Sequence, residues 1–117
     1  MILYFTADLM SNSRVSGPAR ANGIPLRVIA SKGGILETID DETTALLVDL
    51  NPPARDAIST IQEARTAHPD LRIMVHGPHV QVELLAQARE AGAEVLTNGQ
   101  FHQQVDAILA KLAEPAA

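Results

Sequence analysis

The stretch Ala45-Leu46-Leu47-Val48-Asp49-Leu50-Asn51-Pro52-Pro53 places four apolar residues in succession before an aspartate and a turn of asparagine and proline. Such a run, with no alternation of polar and apolar residues, reads as a strand buried on both faces of a parallel sheet. Working outward, the signature recurs at Ile2 to Phe5, Leu26 to Ala30, Leu71 to Val75 and Glu94 to Thr97. Between the runs lie segments of helical spacing, notably Val80, Leu84, Ala88 and Ala91, then Phe101, Val105, Ile108 and Leu112. Strict alternation of strand and helix, five times over, predicts a three-layer α/β domain of (βα)5 type. Its sheet is expected to be parallel, in the order 2-1-3-4-5, with right-handed crossovers and helices on both faces. Leu46, Val48, Ile73 and Val75 are expected in its central strands.

The punctuation agrees. Asn22-Gly23 ends the first helix, Ala91-Gly92 the fourth, and Pro69-Asp70 separates the third from its strand. Gly17-Pro18 falls within the first helix, where proline removes a donor and crowds the preceding turn. Either the helix kinks or starts late, or Ser16 caps a short helix beginning at Pro18 and Leu9 to Val15 form an irregular loop. The expected domain covers residues 1–113, with a frayed tail at 114–117.

Composition excludes several functions. The chain has no cysteine, so thiolate chemistry and disulfides are absent. Fourteen acidic residues against nine basic ones give a formal charge of −5, and the basic residues form no cluster; this opposes direct binding of nucleic acid. The apolar runs are far shorter than the roughly 20 residues that cross a bilayer. A cytoplasmic protein with no membrane partner is expected. Ser31-Lys32-Gly33-Gly34 lacks the spacing of a phosphate-binding P-loop and reads as a flexible turn before a helix.

Ligands of open α/β sheets bind beyond the carboxyl ends of the strands where strand order reverses, here between the first and third. Asp8 follows the first strand and Asp49 ends the third. Convergence would put two carboxylates in one crevice, the minimum for a hard cation such as Mg²⁺; alternatively each caps a turn or a helix N-terminus.

The opening stretch resembles the strand of response-regulator receiver domains that ends in the phospho-accepting aspartate, with a proline four residues later, at Asp49 and Pro53. Ile2 to Gly23 is similar in length to the receiver's first strand and helix. Gly77 to Ala93 has its spacing from the fourth strand to the Gly-Ala before the fifth. The resemblance spans nearly the whole chain and implies a CheY-like fold in a two-component signalling system. Three departures make this a degenerate pseudo-receiver. The receiver's acidic pair after the first strand falls on Thr6 and Ala7, with Asp8 just beyond as what remains of an acidic pocket. Its hydroxyl residue after the fourth strand falls on Gly77, or on His76 with a slip of one. Its lysine after the fifth strand falls on Gly99, or on Asn98 with a slip.

Phosphoryl transfer to a carboxylate depends on positioning and on electrostatic stabilisation of the transferred group, and each lost partner costs about 3 kcal/mol. Asp49 is therefore expected to be a relic of the phospho-acceptor, and the protein a non-enzymatic module that signals through protein contacts, with no cofactor beyond weakly held Mg²⁺. Since no output domain follows, its output is expected to act in trans. The resemblance implies a contact surface at the fourth helix, fifth strand and fifth helix. There Val82, Leu85 and Ala86 form a second apolar stripe beside the core-facing Val80, Leu84 and Ala88. Two alternatives stand: a phosphorylatable single-domain regulator with Asp49 as acceptor, and a small-molecule or metal-binding flavodoxin-like domain using His76, His79 and His102 with Asp49.

Overall fold

The structure, a computed structural model, describes residues 1–115, so the last two residues of the expected tail lie outside the described residues. Five strands form one parallel sheet: β1 (Ile2–Phe5), β2 (Leu26–Ile29), β3 (Ala45–Asp49), β4 (Arg72–Gly77) and β5 (Glu94–Thr97). Their order is β2-β1-β3-β4-β5, as expected. β1 and β3 are buried along their whole length, and β4 in every residue but the first, whereas the edge strands β2 and β5 are mostly half-buried. That gradient explains why the central strands carry continuous apolar runs.

Six helices cover the sheet: α1 (Leu9–Ala21), α2 (Lys32–Thr38), α3 (Ala57–Ala67), α4 (Val82–Glu90), α5 (Asn98–Gln103) and α6 (Val105–Leu112). Because successive strand residues point to opposite faces, the core divides in two. Leu3, Phe5, Leu46, Val48, Ile73 and Val75 pack with residues of α2, α3 and α4. Ile2, Tyr4, Leu47 and Met74 pack with Val15, Ala19, Phe101 and Leu109 on the other face.

Several local expectations are corrected. α1 is continuous from Leu9, with Pro18 inside it and Asp8 rather than Ser16 as its N-cap. Proline removes one hydrogen bond, but Ser11, Val15 and Ala19, four residues apart, give the helix a buried seam that outweighs the loss. Lys32-Gly33-Gly34 is not a loose turn: it forms the first turn of α2, capped by the Ser31 side chain, which accepts the Gly34 N–H at 3.1 Å. A Cβ on Gly34 would lie 2.6 Å from Ser31 Oγ, so a side chain there would make the serine hydroxyl shift. The last helical segment is broken at Gln104 into α5 and α6.

The fourth helix is rotated relative to its expected phase. Val80 lies in the turn before α4 and is 71% exposed, while Leu85 is in the core at 9%. Pro78 and the late N-cap at Gln81 delay the helix, so its inner face carries Leu85 and Ala88, with Leu84 and Ala91 partly buried against the same cluster. Of the expected contact stripe, Leu85 is therefore core, Ala86 is half-buried and Val82 is exposed at 69%.

This phase is testable by urea denaturation. Leu85→Glu buries an unpaired carboxylate and should cost several kcal/mol, whereas Val82→Glu should stay within about 0.5 kcal/mol of the parent. Equal effects of the two would reject the observed phase.

Candidate functional site at the carboxyl ends of the strands

Where strand order reverses, the loops after β1 and β3 leave a cleft of about 310 Å³ bordered by Thr6, Ser31, Lys32, Asp49 and Arg55. Asp49 is 6% exposed and both its oxygens are engaged. Oδ2 accepts the Thr6 hydroxyl at 2.7 Å, and Oδ1 accepts the backbone N–H of Asn51 at 2.7 Å. Thr6 Oγ1 in turn accepts the Asp8 N–H at 3.1 Å. At the N-cap of α1, Asp8 Oδ2 accepts both the hydroxyl of Ser11, at 2.8 Å, and its N–H, at 3.2 Å. The Ser11 hydroxyl bond, then the backbone bond, hold the Asp8 carboxyl below the usual carboxylate range. Each aspartate is thus occupied by local donors, and the capping reading of the pair is the one realised.

A resident Mg²⁺ does not fit these residues. The ion takes near-octahedral oxygen ligands, with carboxylates supplying the charge. The two carboxylates at this end of the sheet, Asp8 and Asp49, already accept protein donors, and the side chains between their elements, Thr6 and Ala7, bring no charge. Among the described residues no group of three or more His, Cys, Asp or Glu side chains is placed to hold a metal. The histidine site expected from His76, His79 and His102 is not assembled either, because His79 is exposed and both ring nitrogens of His76 are bonded to protein.

His76 is the centre of what the sequence did not show. It lies in β4, fully buried, stacked on Phe101 with centroids 4.5 Å apart and with His102 edge-on at 5.7 Å. Nε2 is 2.7 Å from the Tyr4 hydroxyl, and Nδ1 is 2.8 Å from Asn98 Oδ1. Asn98 Nδ2 donates to Asn51 Oδ1 at 2.6 Å, and Asn51 Nδ2 to Ser11 Oγ at 3.3 Å. The polarity of the chain follows from donor and acceptor capacity alone. Ser11 gives its proton to Asp8, so it accepts from Asn51; Asn51 then accepts from Asn98, whose oxygen is left to accept from His76. His76 is consequently the neutral Nδ1–H tautomer, and its bare Nε2 accepts from Tyr4. Burial is the main force holding the ring below the ordinary histidine range, against a smaller raising effect of Asn98. Burial likewise raises the Tyr4 hydroxyl far above the usual tyrosine range, keeping it a donor.

The geometry settles the slipped positions. Asn98, the first residue of α5, reaches the site through its bonds to His76 and Asn51. At Gly77 a Cβ would lie 2.9 Å from Leu50 Cβ and 3.3 Å from Leu85 Cδ2, so no hydroxyl side chain fits there, and His76 occupies the slipped register. Of the cations bordering the cleft, Lys32 is ion-paired with Glu63. Tyr4 and Asn51 were missed by sequence reasoning. The available signal was a lone tyrosine inside an apolar strand, whose buried hydroxyl needs a partner.

Around the site, Leu9 and Met10 are 81% and 70% exposed at the start of α1, while Val80 and Val82 flank the start of α4. All four lie where a helix begins after a strand's carboxyl end.

Solved receiver domains share this architecture. The receiver domain of NtrX from Brucella abortus superposes with a TM-score of 0.77 at 19% identity, over 97% of this chain and 98% of that one. A response regulator receiver protein from Pseudoalteromonas atlantica gives 0.78 at 11% identity, over 96% of each chain. The BeF3-activated receiver domain of Nitrogen Regulatory Protein C gives 0.74 at 16%, over 96% of this chain and 92% of that one. Among curated proteins, Transcriptional activator protein ExaE of Pseudomonas putida is 30% identical over 73 residues. Those residues are 62% of this chain and 34% of that protein, so the chain spans about a third of the relative it matches. No family model matches.

Two outcomes follow from the network. Tyr4→Phe strands a buried acceptor at His76 Nε2 and should lower stability by about 1–3 kcal/mol in denaturant titrations. Because the folded His76 titrates below its unfolded value near 6.5, its neutral form contributes stability that is complete above about pH 6.5. That contribution is lost as the pH falls, so unfolding midpoints should drop from pH 7.5 to 5.5, and less steeply in His76→Gln.

Proposed function

We propose that this domain, which has the fold of response-regulator receivers, is a signalling module that works through protein contacts and not by accepting a phosphoryl group at Asp49. The observation that carries the reading is the double engagement of the Asp49 carboxylate by Thr6 and Asn51. A nucleophilic carboxylate needs a free oxygen aimed at phosphorus, with cationic partners to take up the charge that builds on the transferred group. Here the neighbouring positions hold threonine, alanine and asparagine, all neutral. Loss of even one preorganised partner costs about 3 kcal/mol, some hundredfold in rate. Mg²⁺ association is accordingly proposed to be millimolar or weaker.

The contact surface we propose is the carboxyl-end rim bearing Val80 and Val82, with Leu9 and Met10 at the start of α1. This revises the stripe read from sequence, because Leu85 belongs to the core. Large apolar side chains that stay exposed beside polar loops are the usual mark of a protein contact. The partner is proposed to be another cytoplasmic signalling protein or a second copy of the chain, and the name of the curated relative suggests a transcriptional output.

A phosphorylatable regulator is the second reading, favoured by one observation: Asp49 borders an open cleft that Lys32 and Arg55 also border. Incubation with acetyl phosphate and Mg²⁺, followed by intact-mass measurement, separates the two. The expected result is an unmodified chain. A Mg²⁺-dependent phosphoryl adduct that disappears in Asp49→Asn would overturn the proposal in favour of phosphotransfer.

A further inference from the structure

We infer that Arg65 is a positioning residue that fastens the C-terminal end of α4 to that of α3, so that the end of α4 and the turn after it open as a unit when the guanidinium lets go. Both helices pack on one face of a parallel sheet, and each returns the chain to the start of a strand, so they run side by side and end together. Each C-terminus carries unbonded carbonyls and about half a negative charge, and two such ends side by side repel. A cation set between them offsets that repulsion.

Arg65 stands in the last turn of α3 and is half-buried. Its Nη1 donates to the carbonyls of Pro69, at 2.8 Å, and Leu71, at 2.6 Å, with that of His68 at 3.5 Å. Nη2 crosses to the Gly92 carbonyl at 2.8 Å. Among the described residues no carboxylate lies within ion-pairing distance of Arg65, so its charge is taken up by backbone carbonyls alone. One planar fork thus joins the α3–β4 turn to the α4–β5 turn, which the single ammonium of a lysine cannot do.

Gly92 is in turn tied to α4. Its N–H donates to Arg89 O at 3.1 Å, and the N–H groups of Ala91 and Ala93 donate to Gln87 O at 2.9 Å and Ala88 O at 3.1 Å. Holding the Gly92 carbonyl therefore holds the end of the helix. Gly92 has a φ of +101°, and a Cβ there would lie 2.9 Å from Arg65 Nε, so the arginine approaches through the space that glycine leaves.

Little else fastens this end. α4 buries only Leu85 and Ala88, whereas α3 buries Ala57, Thr60, Ile61 and Ala64. Beside Arg65 the two helices are separated by a groove of about 500 Å³, bordered by Ile58, Gln62, Thr66, Gln87 and Glu90, four of which are polar. Elements with few buried apolar contacts are the ones that open locally. The fastening rests on these bonds alone. Its use, holding α4 and the exposed Val82 at its start in place for a partner, rests on the reading above.

NMR and amide hydrogen exchange test the fastening without a partner or phosphodonor, so the result is independent of whether the domain signals through contacts. In the parent at low temperature, Arg65 should show separate Nη1 and Nη2 signals, the latter coupled across its hydrogen bond to the Gly92 carbonyl carbon. In Arg65→Lys the amides of Ala91, Gly92 and Ala93 should exchange about tenfold or more faster relative to Tyr4 and Leu47 in the sheet, the loss expected for hydrogen bonds to a charged group. A side chain that only adds global stability would speed all of these amides alike. A single averaged guanidinium signal in the parent, or an unchanged ratio of rates in Arg65→Lys, would each overturn the fastening. Where Arg65→Lys does not fold, the guanidinium signals of the parent decide.

Discussion

A carboxylate at the end of a strand buried on both faces must find its partners within the protein, and the arrangement around Asp49 follows from that requirement. β3 is the middle strand, bonded to β1 and β4, and Asp49 at its end is 6% exposed where it borders the cleft. The Thr6 hydroxyl and the Asn51 amide satisfy Asp49, and each of them then draws in a further group: Thr6 takes the Asp8 N–H, and the Asn51 side chain joins Asn98 to Ser11. From one obligatory pair of hydrogen bonds the polar network extends across β1, β3, β4, α1 and α5. Within a low-dielectric interior such a network is stabilising only when every member is satisfied, and the consistent donor polarity from Tyr4 to Asp8 meets that condition.

The bonded members of this network around His76 are neutral groups. A lysine placed beside Asp49 would pair with it directly. Asn98 instead donates from its amide nitrogen to Asn51 and accepts at its oxygen from His76 and, at 3.5 Å, from the Asn51 amide, and so carries the satisfaction sideways through neutral groups. Neutral groups cost less to bury than charges, and this fits a centre closed off by Phe101 stacking on the imidazole.

How much of this was legible in the sequence depended on the range over which each signal acts. Strand burial is local: Leu46, Leu47 and Val48 announce a two-sided strand without reference to anything else, and the order 2-1-3-4-5 came from the five-stranded fold type that such runs point to. Helix phase is less local. The spacing Val80, Leu84, Ala88 is apolar and regular, yet Pro78 and the Gln81 cap begin the helix too late for Val80 to belong to it, and Leu85 takes the inner position. Pairings between distant side chains left no trace in the pattern. Asn51 and Asn98 are 47 residues apart, and Tyr4 and His76 are 72, so neither pair has a periodicity to read. His76 and Asn98 were reachable only as slipped positions of a resemblance, without a reason to prefer the slip. The reason is steric at Gly77, where Leu50 and Leu85 leave no room for a side chain.

Superposition on receivers at 11 to 19% identity also shows which part of the chain the fold depends on. A parallel sheet with both faces covered needs apolar side chains of about the right volume, and many sequences supply them. Site residues are under no such averaging, because a single hydroxyl, amide or lysine decides whether charge at Asp49 is paired, stored or transferred. Fold likeness therefore accounts for where Asp49, Thr6 and Asn98 meet, while their chemistry has to be read from their own bonds. Those bonds give both Asp49 oxygens a protein donor at the edge of the cleft and leave Leu9, Met10, Val80 and Val82 as large apolar groups exposed at the carboxyl-end rim.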